Sequence, residues 1–361
     1  MKAWRWVTSA AGIAVVASEI ERTTTLSKRD ITVIGGGVLG LWQTYELARR
    51  GHRVTLHEAT EDIASGAASR FAGAMLAPYC EAEAAEPVVR DLGLRGLTLW
   101  REAYTDVICN GTLVVASSRD RSELIRFARM TNGHREINAD ELAGLEPDLA
   151  GRFARGLFYP DECHMPPRVA LQFLADEARK LGARIVLGEP VPETGAVGAD
   201  TGITIDCRGI AARDAVPTLR GVRGERLLLR APELTLSRPV RLLHPRYPLY
   251  VVPWGDGYFM VGATVIERDD DAPMTVRSAL ELLGMAYALH PGFAEASILE
   301  LSAGVRPAFP DNIPKAIVRG RQIYVNGAFR HGFLLSPVLA HAVADYLEDG
   351  AVHDGIMRVE N

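Results

Sequence analysis

The chain has 361 residues, enough for two domains or for one domain with a large insertion. Hydrophobic residues make up 48% of it and charged residues 24%, a balance typical of soluble globular proteins. The net charge of −5, with no dense basic cluster, argues against a nucleic-acid partner.

The four cysteines, Cys80, Cys109, Cys163 and Cys207, are scattered, and none has C-x-x-C spacing. This pattern predicts free thiols in a reducing cytoplasm. It predicts neither a metal site nor a disulfide framework.

Residues 1–29 have the outline of a signal peptide, because Lys2 and Arg5 precede an apolar stretch. That stretch is interrupted by polar residues and Gly12, and it is too short to span a bilayer. We expect an extension outside the fold of a cytoplasmic protein with no membrane span. A secretory leader is the alternative.

The first predicted element is a buried strand, Ile31–Ile34, followed by three glycines and an amphipathic helix that Gly51 ends. A second strand, Arg53–Glu58, completes a βαβ unit. Gly35, Gly37 and Gly40 fit the dinucleotide-binding pattern G-x-G-x-x-G. We expect the free N–H groups at the start of the helix, at Val38 and Leu39, to bind a pyrophosphate.

Glu58 lies at the predicted tip of the second strand. A carboxylate there accepts hydrogen bonds from both hydroxyls of an adenosine ribose and repels a 2′-phosphate. The sequence therefore predicts a dinucleotide cofactor other than NADP.

A stretch of small residues, Ser65–Ala77, follows, and its backbone can approach a ligand closely. An Ala-rich helix start is the alternative interpretation. With the glycine fingerprint, this stretch resembles the flavin-contacting loop of the glycine oxidase and D-amino-acid oxidase family of FAD-dependent enzymes. The resemblance implies FAD contacts by Ser65, Ala68, Ser69, Arg70, Gly73, Ala74 and Met75.

Pro166 and Pro167 predict the start of a helix that Gly182 ends, before a strand at Arg184–Leu187. The next strand, Ile203–Cys207, departs from the family pattern at its end. The segment that begins at Gly221 resembles the family's turn into the substrate domain.

A hairpin is predicted where β-branched and aromatic residues flank a turn at Gly255–Gly257. By resemblance, Tyr250 on its first strand contributes to the substrate pocket. A tyrosine of the core or of the sheet surface is the alternative.

Arg306 lies between Gly304 and Pro307, near the end of a strand of small and apolar residues. By default such an arginine is a surface residue. The family's G-x-R-P pattern, matched here together with Asp311 and Pro314, implies instead that Arg306 binds the substrate carboxylate.

The last motif joins a strand, Ile323–Val325, to a helix whose N-terminus is expected to face the flavin ring. The resemblance gives Arg330 the role of a second substrate-side arginine, whereas His331 is expected to be a bystander in catalysis. It implies cofactor contacts by Gly304, Arg306, Phe329, Arg330, His331, Gly332, Phe333 and Leu334.

Together these motifs predict an α/β fold, a Rossmann-like FAD-binding domain interleaved with an antiparallel-sheet α+β substrate domain. The predicted FAD-binding segments are residues 30–86, 159–224 and 300–361, and the substrate segments are 87–158 and 225–299. The chain most resembles the glycine oxidases of thiamine biosynthesis, which pass a hydride from a small amino acid to flavin N5. Oxygen then reoxidises the flavin and yields hydrogen peroxide; a homo-oligomer is compatible with the sequence.

Several alternatives stay open at this point. The family also contains sarcosine oxidases and D-amino-acid dehydrogenases, and the same fold occurs in flavoproteins that modify tRNA. A non-catalytic FAD-binding scaffold is a further alternative. An NAD dehydrogenase is disfavoured, because no second nicotinamide-binding half follows Glu58.

Overall fold

The computed structural model describes residues 28–189 and 202–360. The interpretation of the first residues as an extension or a leader lies outside this part of the chain, up to residue 27.

The described residues form seventeen strands. In chain order they are β1 Asp30–Ile34, β2 Arg53–Glu58, β3 Met75–Leu76, β4 Thr112–Ala116, β5 Arg135–Asn138, β6 Arg155–Tyr159, β7 Cys163–His164, β8 Arg184–Leu187, β9 Ile203–Asp206, β10 Arg220–Arg230, β11 Val240–Leu243, β12 Leu249–Pro253, β13 Tyr258–Gly262, β14 Ser297–Ala308, β15 Lys315–Arg319, β16 Gln322–Asn326 and β17 Met357–Glu360.

The same residues form eight α-helices, and short 3₁₀ turns connect several elements. The helices are α1 Val38–Arg49, α2 Pro78–Glu81, α3 Pro87–Ala103, α4 Arg121–Met130, α5 Ala139–Leu145, α6 Pro167–Lys180, α7 Val276–Leu289 and α8 Gly332–Asp349. The 3₁₀ turns are Ala68–Phe71, Ser118–Asp120, Pro147–Leu149, Gly209–Asp214 and Pro291–Glu295.

A seven-stranded sheet carries the βαβ unit that the glycine pattern predicts. Its order is β17-β15-β16-β9-β1-β2-β8, and all pairs are parallel except β15 with β16. No residue of β9 is exposed, and in β1 and β2 only the first residue is, as expected for parallel strands covered by helices. Helix α1 packs against both α6 and α8, and the apolar residues of these elements form the largest core cluster.

A second, eight-stranded sheet has the order β14-β10-β13-β12-β11-β4-β6-β5. It is antiparallel except where β11 runs parallel to β4. Its strands come from segments that alternate along the chain with those of the first sheet. The fold class is therefore the predicted interleaved α/β architecture. The division into five segments stays a prediction; β10 and β14 each cross one of its boundaries.

The elements with local sequence signals lie where the sequence predicts them. Strand β2 and strand β8 have the predicted bounds, and the hairpin β12–β13 turns at the predicted glycines. The prediction of a turn at Gly221 was wrong, because this residue lies inside the long strand β10. Pairing of β10 with both β13 and β14 keeps the segment extended.

The prediction of four free thiols was wrong for two of the cysteines. Cys109 and Cys163 form a disulfide, with their Cα atoms 4.2 Å apart. Ile108 and His164 pair across an isolated bridge, which places the two cysteines side by side although 54 residues separate them in sequence. Cys80 and Cys207 are free and buried.

No helix in residues 28–189 and 202–360 has both the length and the apolar character needed to cross a bilayer.

Candidate active site

One cavity, of about 600 Å³, is lined by residues of both sheets. The first sheet contributes the ends of β1 and β2, and the second contributes β10, β12 and β14. The start of α1 and the start of α8 both reach this cavity. Such a cavity can hold an extended ligand with anionic groups at either helix.

The glycines before α1 allow a close approach of backbone to ligand. Gly35 has φ +97°, and a Cβ there would lie 2.7 Å from the Cys207 carbonyl oxygen. A Cβ on Gly40 would lie 1.8 Å from the Gly35 carbonyl oxygen, so only glycine lets α1 pack on β1. No side chain caps the helix at Gly37, and the first turn faces the cavity. The Val38 N–H is occupied by Ser69 Oγ, and the N–H groups that remain in this turn, beginning with that of Leu39, suit a pyrophosphate.

Glu58 is held at the cavity wall by neighbours on two sides. Its Oε2 accepts a hydrogen bond from the Gly36 N–H at 2.6 Å, and its Oε1 accepts one from the Thr60 hydroxyl at 2.8 Å. The carboxylate is thereby fixed beside the phosphate-binding turn, where an adenosine ribose would follow. The residues at this end of the cavity fit the adenosine half of FAD.

The small-residue loop closes over the start of α1. Ser69 Oγ accepts a hydrogen bond from the Val38 N–H at 3.2 Å, which ties the loop to the helix. Most loop residues expected at the cofactor line the cavity, namely Ala68, Ser69, Gly73, Ala74 and Met75. Ser65 and Arg70, like Gly40 of the glycine pattern, lie outside the cavity lining.

Helix α8 presents a second uncapped N-terminus to the cavity, and its first residue, Gly332, lies next to Val38 at the start of α1. The residue before it, His331, makes no side-chain cap, and Gly332, Phe333 and Leu334 all line the cavity. Phe329, Arg330 and Gly304 line it as well. Helix N–H groups here would stabilise negative charge on a reduced flavin ring.

Arg306 lies on the cavity wall, half-buried on strand β14. Its Nη1 donates hydrogen bonds to the carbonyl oxygens of Thr264, at 3.1 Å, and of Arg223, at 3.5 Å. Gly224 of the neighbouring strand makes room, since a Cβ there would lie 2.1 Å from the guanidinium carbon. Burial lowers the pKa of Arg306, but an arginine keeps its charge in a protein.

Tyr250 lines the same cavity from strand β12. Its ring lies next to Gly73, where a Cβ would approach the ring to 3.3 Å. Across the β11–β12 pair it is in register with Arg241, whose guanidinium lies 6.0 Å from the ring centroid. The structure thus brings Tyr250, Arg306 and Arg330 to one cavity.

Glu81, at the end of α2, is a carboxylate that the sequence analysis missed. It lies beside the guanidinium groups of Arg241 and Arg330. Arg241 Nη2 donates to its Oε1 at 2.5 Å, and Arg330 Nη2 is 3.5 Å from the same oxygen. Burial by itself raises the pKa of Glu81, but Arg330, Arg241 and His331 together hold it well below the usual range. Glu81 is therefore ionised.

His331 lies next to this carboxylate, with its Nδ1 3.4 Å from Glu81 Oε2. Burial lowers the pKa of His331 to about 4, although Glu81 opposes the shift. The imidazole is therefore neutral near pH 7.

Arg226 is a further charged residue at the cavity that the sequence analysis missed. It is buried between the rings of Phe71 and Trp254 and donates to Glu300 at 2.7 Å. No sequence motif marks it, because its neighbours come from three separate elements.

The fold and this cavity define a dinucleotide-binding oxidoreductase. Residues 30–346 match the model of the DAO family, described as FAD dependent oxidoreductase. The chain belongs to this family of FAD-dependent enzymes, as the resemblance implied.

Individual relatives agree with the family match. The chain is 50% identical over 315 residues to the thiamine biosynthesis oxidoreductase ThiO of Rhizobium etli, whose name is itself a provisional assignment. The match covers 87% of this chain and 95% of that relative. It is 27% identical to the glycine oxidase of Bacillus licheniformis, over 88% and 92% of the two chains. The crystal structure of glycine oxidase from Bacillus cereus superposes with a TM-score of 0.77 at 21% identity, covering 90% of this chain and 96% of that one.

Proposed function

We propose that the chain oxidises glycine or another small amino acid to its imine, as a step in making the thiazole of thiamine. The names of its relatives, ThiO and glycine oxidase, support the reaction and the pathway. The observation that carries the proposal is Arg306, a guanidinium whose Nη2 and Nε have no acceptor among the described residues and which faces the cofactor cavity. Such a group binds a carboxylate as a planar fork.

FAD would be held by the turn at Gly35–Gly37, by Glu58 and by the N-terminus of α8. When bound, it supplies the hydride acceptor, and molecular oxygen takes the electrons to give hydrogen peroxide. The remaining cofactor contacts proposed for the loop, including Ser65 and Arg70, belong to the same proposal.

The protein contributes positioning and electrostatics. Arg306, with Arg330 and Tyr250 nearby, orients the carboxylate so that the Cα–H bond of the substrate faces the flavin. Since His331 is neutral and Glu81 is ionised near pH 7, neither is available as a proton donor. Alignment of the reacting atoms, at about 3.5 Å, carries the rate.

Three further features belong to this proposal. Oxygen is the electron acceptor, the enzyme works in the cytoplasm, and assembly as a homo-oligomer is compatible with the reaction.

The decisive experiment is anaerobic titration of the FAD-loaded enzyme with glycine, sarcosine and D-alanine, followed by flavin absorbance near 450 nm. We expect glycine to bleach the flavin and air to restore the colour with release of peroxide. Absence of bleaching by every amino acid would refute the proposal. Bleaching by D-alanine or sarcosine alone would reassign the substrate.

A further inference from the structure

The cavity contains both signs of charge at its substrate end. Arg306, Arg330 and Tyr250 are the groups suited to a carboxylate, and Glu81 is an ionised carboxylate that also lines the wall. The charges lie close together, because Arg330 Nη2 is 3.5 Å from Glu81 Oε1 and both residues line the same cavity as Arg306 and Tyr250. An α-amino acid has the complementary arrangement, an anionic group two bonds away from an amine.

The two oxygens of Glu81 have different surroundings. Oε1 accepts from Arg241 and lies next to Arg330. Oε2 receives no hydrogen bond from the residues in the described ranges, and its neighbour His331 Nδ1 is 3.4 Å away. Glu81 lines the cavity, and 12% of its side-chain surface is exposed. Oε2 is an ionised oxygen with open acceptor capacity.

Packing prevents Glu81 from turning away from the cavity. Helix α2 follows directly on strand β3, whose pairing with β7 fixes its position, and the Glu81 N–H donates to the Ala77 carbonyl oxygen at 3.0 Å. Arg241, from strand β11, holds Oε1 from the opposite side. The carboxylate is thereby preorganised, so a bound amine would not have to order it.

We propose that Glu81 Oε2 binds the amino group of the substrate while Arg306 binds its carboxylate. The amine donates a hydrogen bond to Oε2 in its neutral or its cationic form, and no proton moves in this contact. Glu81 would thus make an amine a condition for tight binding and select amino acids over plain carboxylates. This inference rests on the proposed function and specifies its substrate class further.

The test compares a ligand that has the amine with one that lacks it, in the FAD-loaded enzyme. The dissociation constant for glycine comes from the concentration dependence of anaerobic flavin reduction, and that for acetate from competitive inhibition. In Glu81→Gln we expect glycine binding to weaken about 10- to 100-fold, the loss typical of one charged hydrogen bond. Acetate should bind within about twofold of wild type, or tighter, because a negative charge has been removed beside Arg330.

A purely structural role predicts a different outcome. If Glu81 only positioned Arg330 and Arg241, the substitution would weaken glycine and acetate alike, and this result would overturn the inference. Unchanged glycine affinity would overturn it as well. Glu83→Gln is the matched control, because Glu83 pairs with Arg126 on the surface two residues away.

A second variant covers the case in which Glu81→Gln does not fold or does not retain FAD. Glu81→Asp keeps the charge but withdraws the oxygen, and we expect it to weaken glycine selectively, though less than Gln would. Equal losses for both ligands in this variant would also count against the inference. Failure of the proposed function is distinguishable, since it would appear as absence of bleaching in the wild-type enzyme itself.

Discussion

At the scale of single residues, Arg306 shows how the fold creates a binding group. Two backbone carbonyl oxygens fix one nitrogen of its guanidinium, and Gly224 gives the group space against the neighbouring strand. The other nitrogens are left for a ligand. A flexible surface arginine would have to be ordered on binding, whereas this one is ordered beforehand.

Replacing Arg306 with Ala should weaken amino-acid binding by roughly 2–4 kcal/mol, because a charge-assisted pair is lost and the substrate carboxylate is buried without a partner. The measurement is kcat/KM with glycine, together with the FAD content of the variant. Arg230→Ala, at an exposed position of the adjacent strand β10, is the control and should leave both unchanged. Wild-type kinetics in Arg306→Ala would rule out its role.

At the scale of elements, helix α8 contains a proline that its neighbours accommodate. Pro337 has no N–H to donate to the carbonyl oxygen of Phe333, one turn earlier. Trp100 Nε1, from helix α3, donates to that oxygen instead, at 2.5 Å. The helix therefore continues through the proline, and its N-terminus stays directed at the cavity.

Two helical glycines make a matched pair for testing close packing. Gly40→Ala places a Cβ 1.8 Å from the Gly35 carbonyl oxygen, so we expect α1 to shift and FAD to be lost from the purified protein. Gly284, in α7, has nothing within 4 Å of such a Cβ. Gly284→Ala should therefore stabilise the protein by about 0.5–1 kcal/mol through helix propensity.

FAD absorbance and thermal unfolding of the two variants measure these effects. Full FAD occupancy in Gly40→Ala would contradict the close-packing argument.

The elements that the sequence predicted well are those whose signals are local. The glycine pattern and the apolar periodicity that follows it gave β1, α1 and β2, and the Gly255–Gly257 turn gave the hairpin. Glu81 and Arg241 could not be paired from sequence, because their contact needs β11 to lie beside β4, a pairing across more than a hundred residues. The Cys109–Cys163 disulfide was also missed because it depends on a long-range contact, the bridge between Ile108 and His164.

At the scale of the whole molecule, the disulfide closes a loop that contains three strands of the second sheet, β4, β5 and β6. Under oxidising conditions, Cys109→Ser should lower the free energy of unfolding by about 2–4 kcal/mol, because the unfolded chain regains freedom. Denaturant unfolding with and without dithiothreitol measures this. The reductant should destabilise wild type and leave the variant unchanged; a wild type insensitive to reductant would contradict the prediction.

Stability should also depend on pH through two buried histidines. Burial lowers the pKa of both His331 and His164 to about 4, below the value of 6.5 expected in the unfolded chain. Between these values the unfolded chain binds more protons, so the folded state loses stability as the pH falls from 6.5 towards 4. The loss is on the order of 2–3 kcal/mol per histidine.

Unfolding free energies measured between pH 7 and pH 4.5 test this dependence. Glu81 is distinguishable from the histidines, because the stability that its lowered pKa contributes is lost only as the pH falls below its ordinary value of 4.5. His164→Gln should have a shallower pH dependence than wild type. A flat profile down to pH 5 in wild type would contradict the assignment.

The two helices that open onto the cavity are the first and the last of the described chain, beginning at Val38 and at Gly332. During synthesis on the ribosome, the glycine turn and the start of α1 are therefore made about three hundred residues before the start of α8, because Val38 and Gly332 lie 294 positions apart. Productive capture of the cofactor has to wait until α8 has been synthesised, and a nascent chain stalled before α8 would be colourless even with its glycine turn correctly formed.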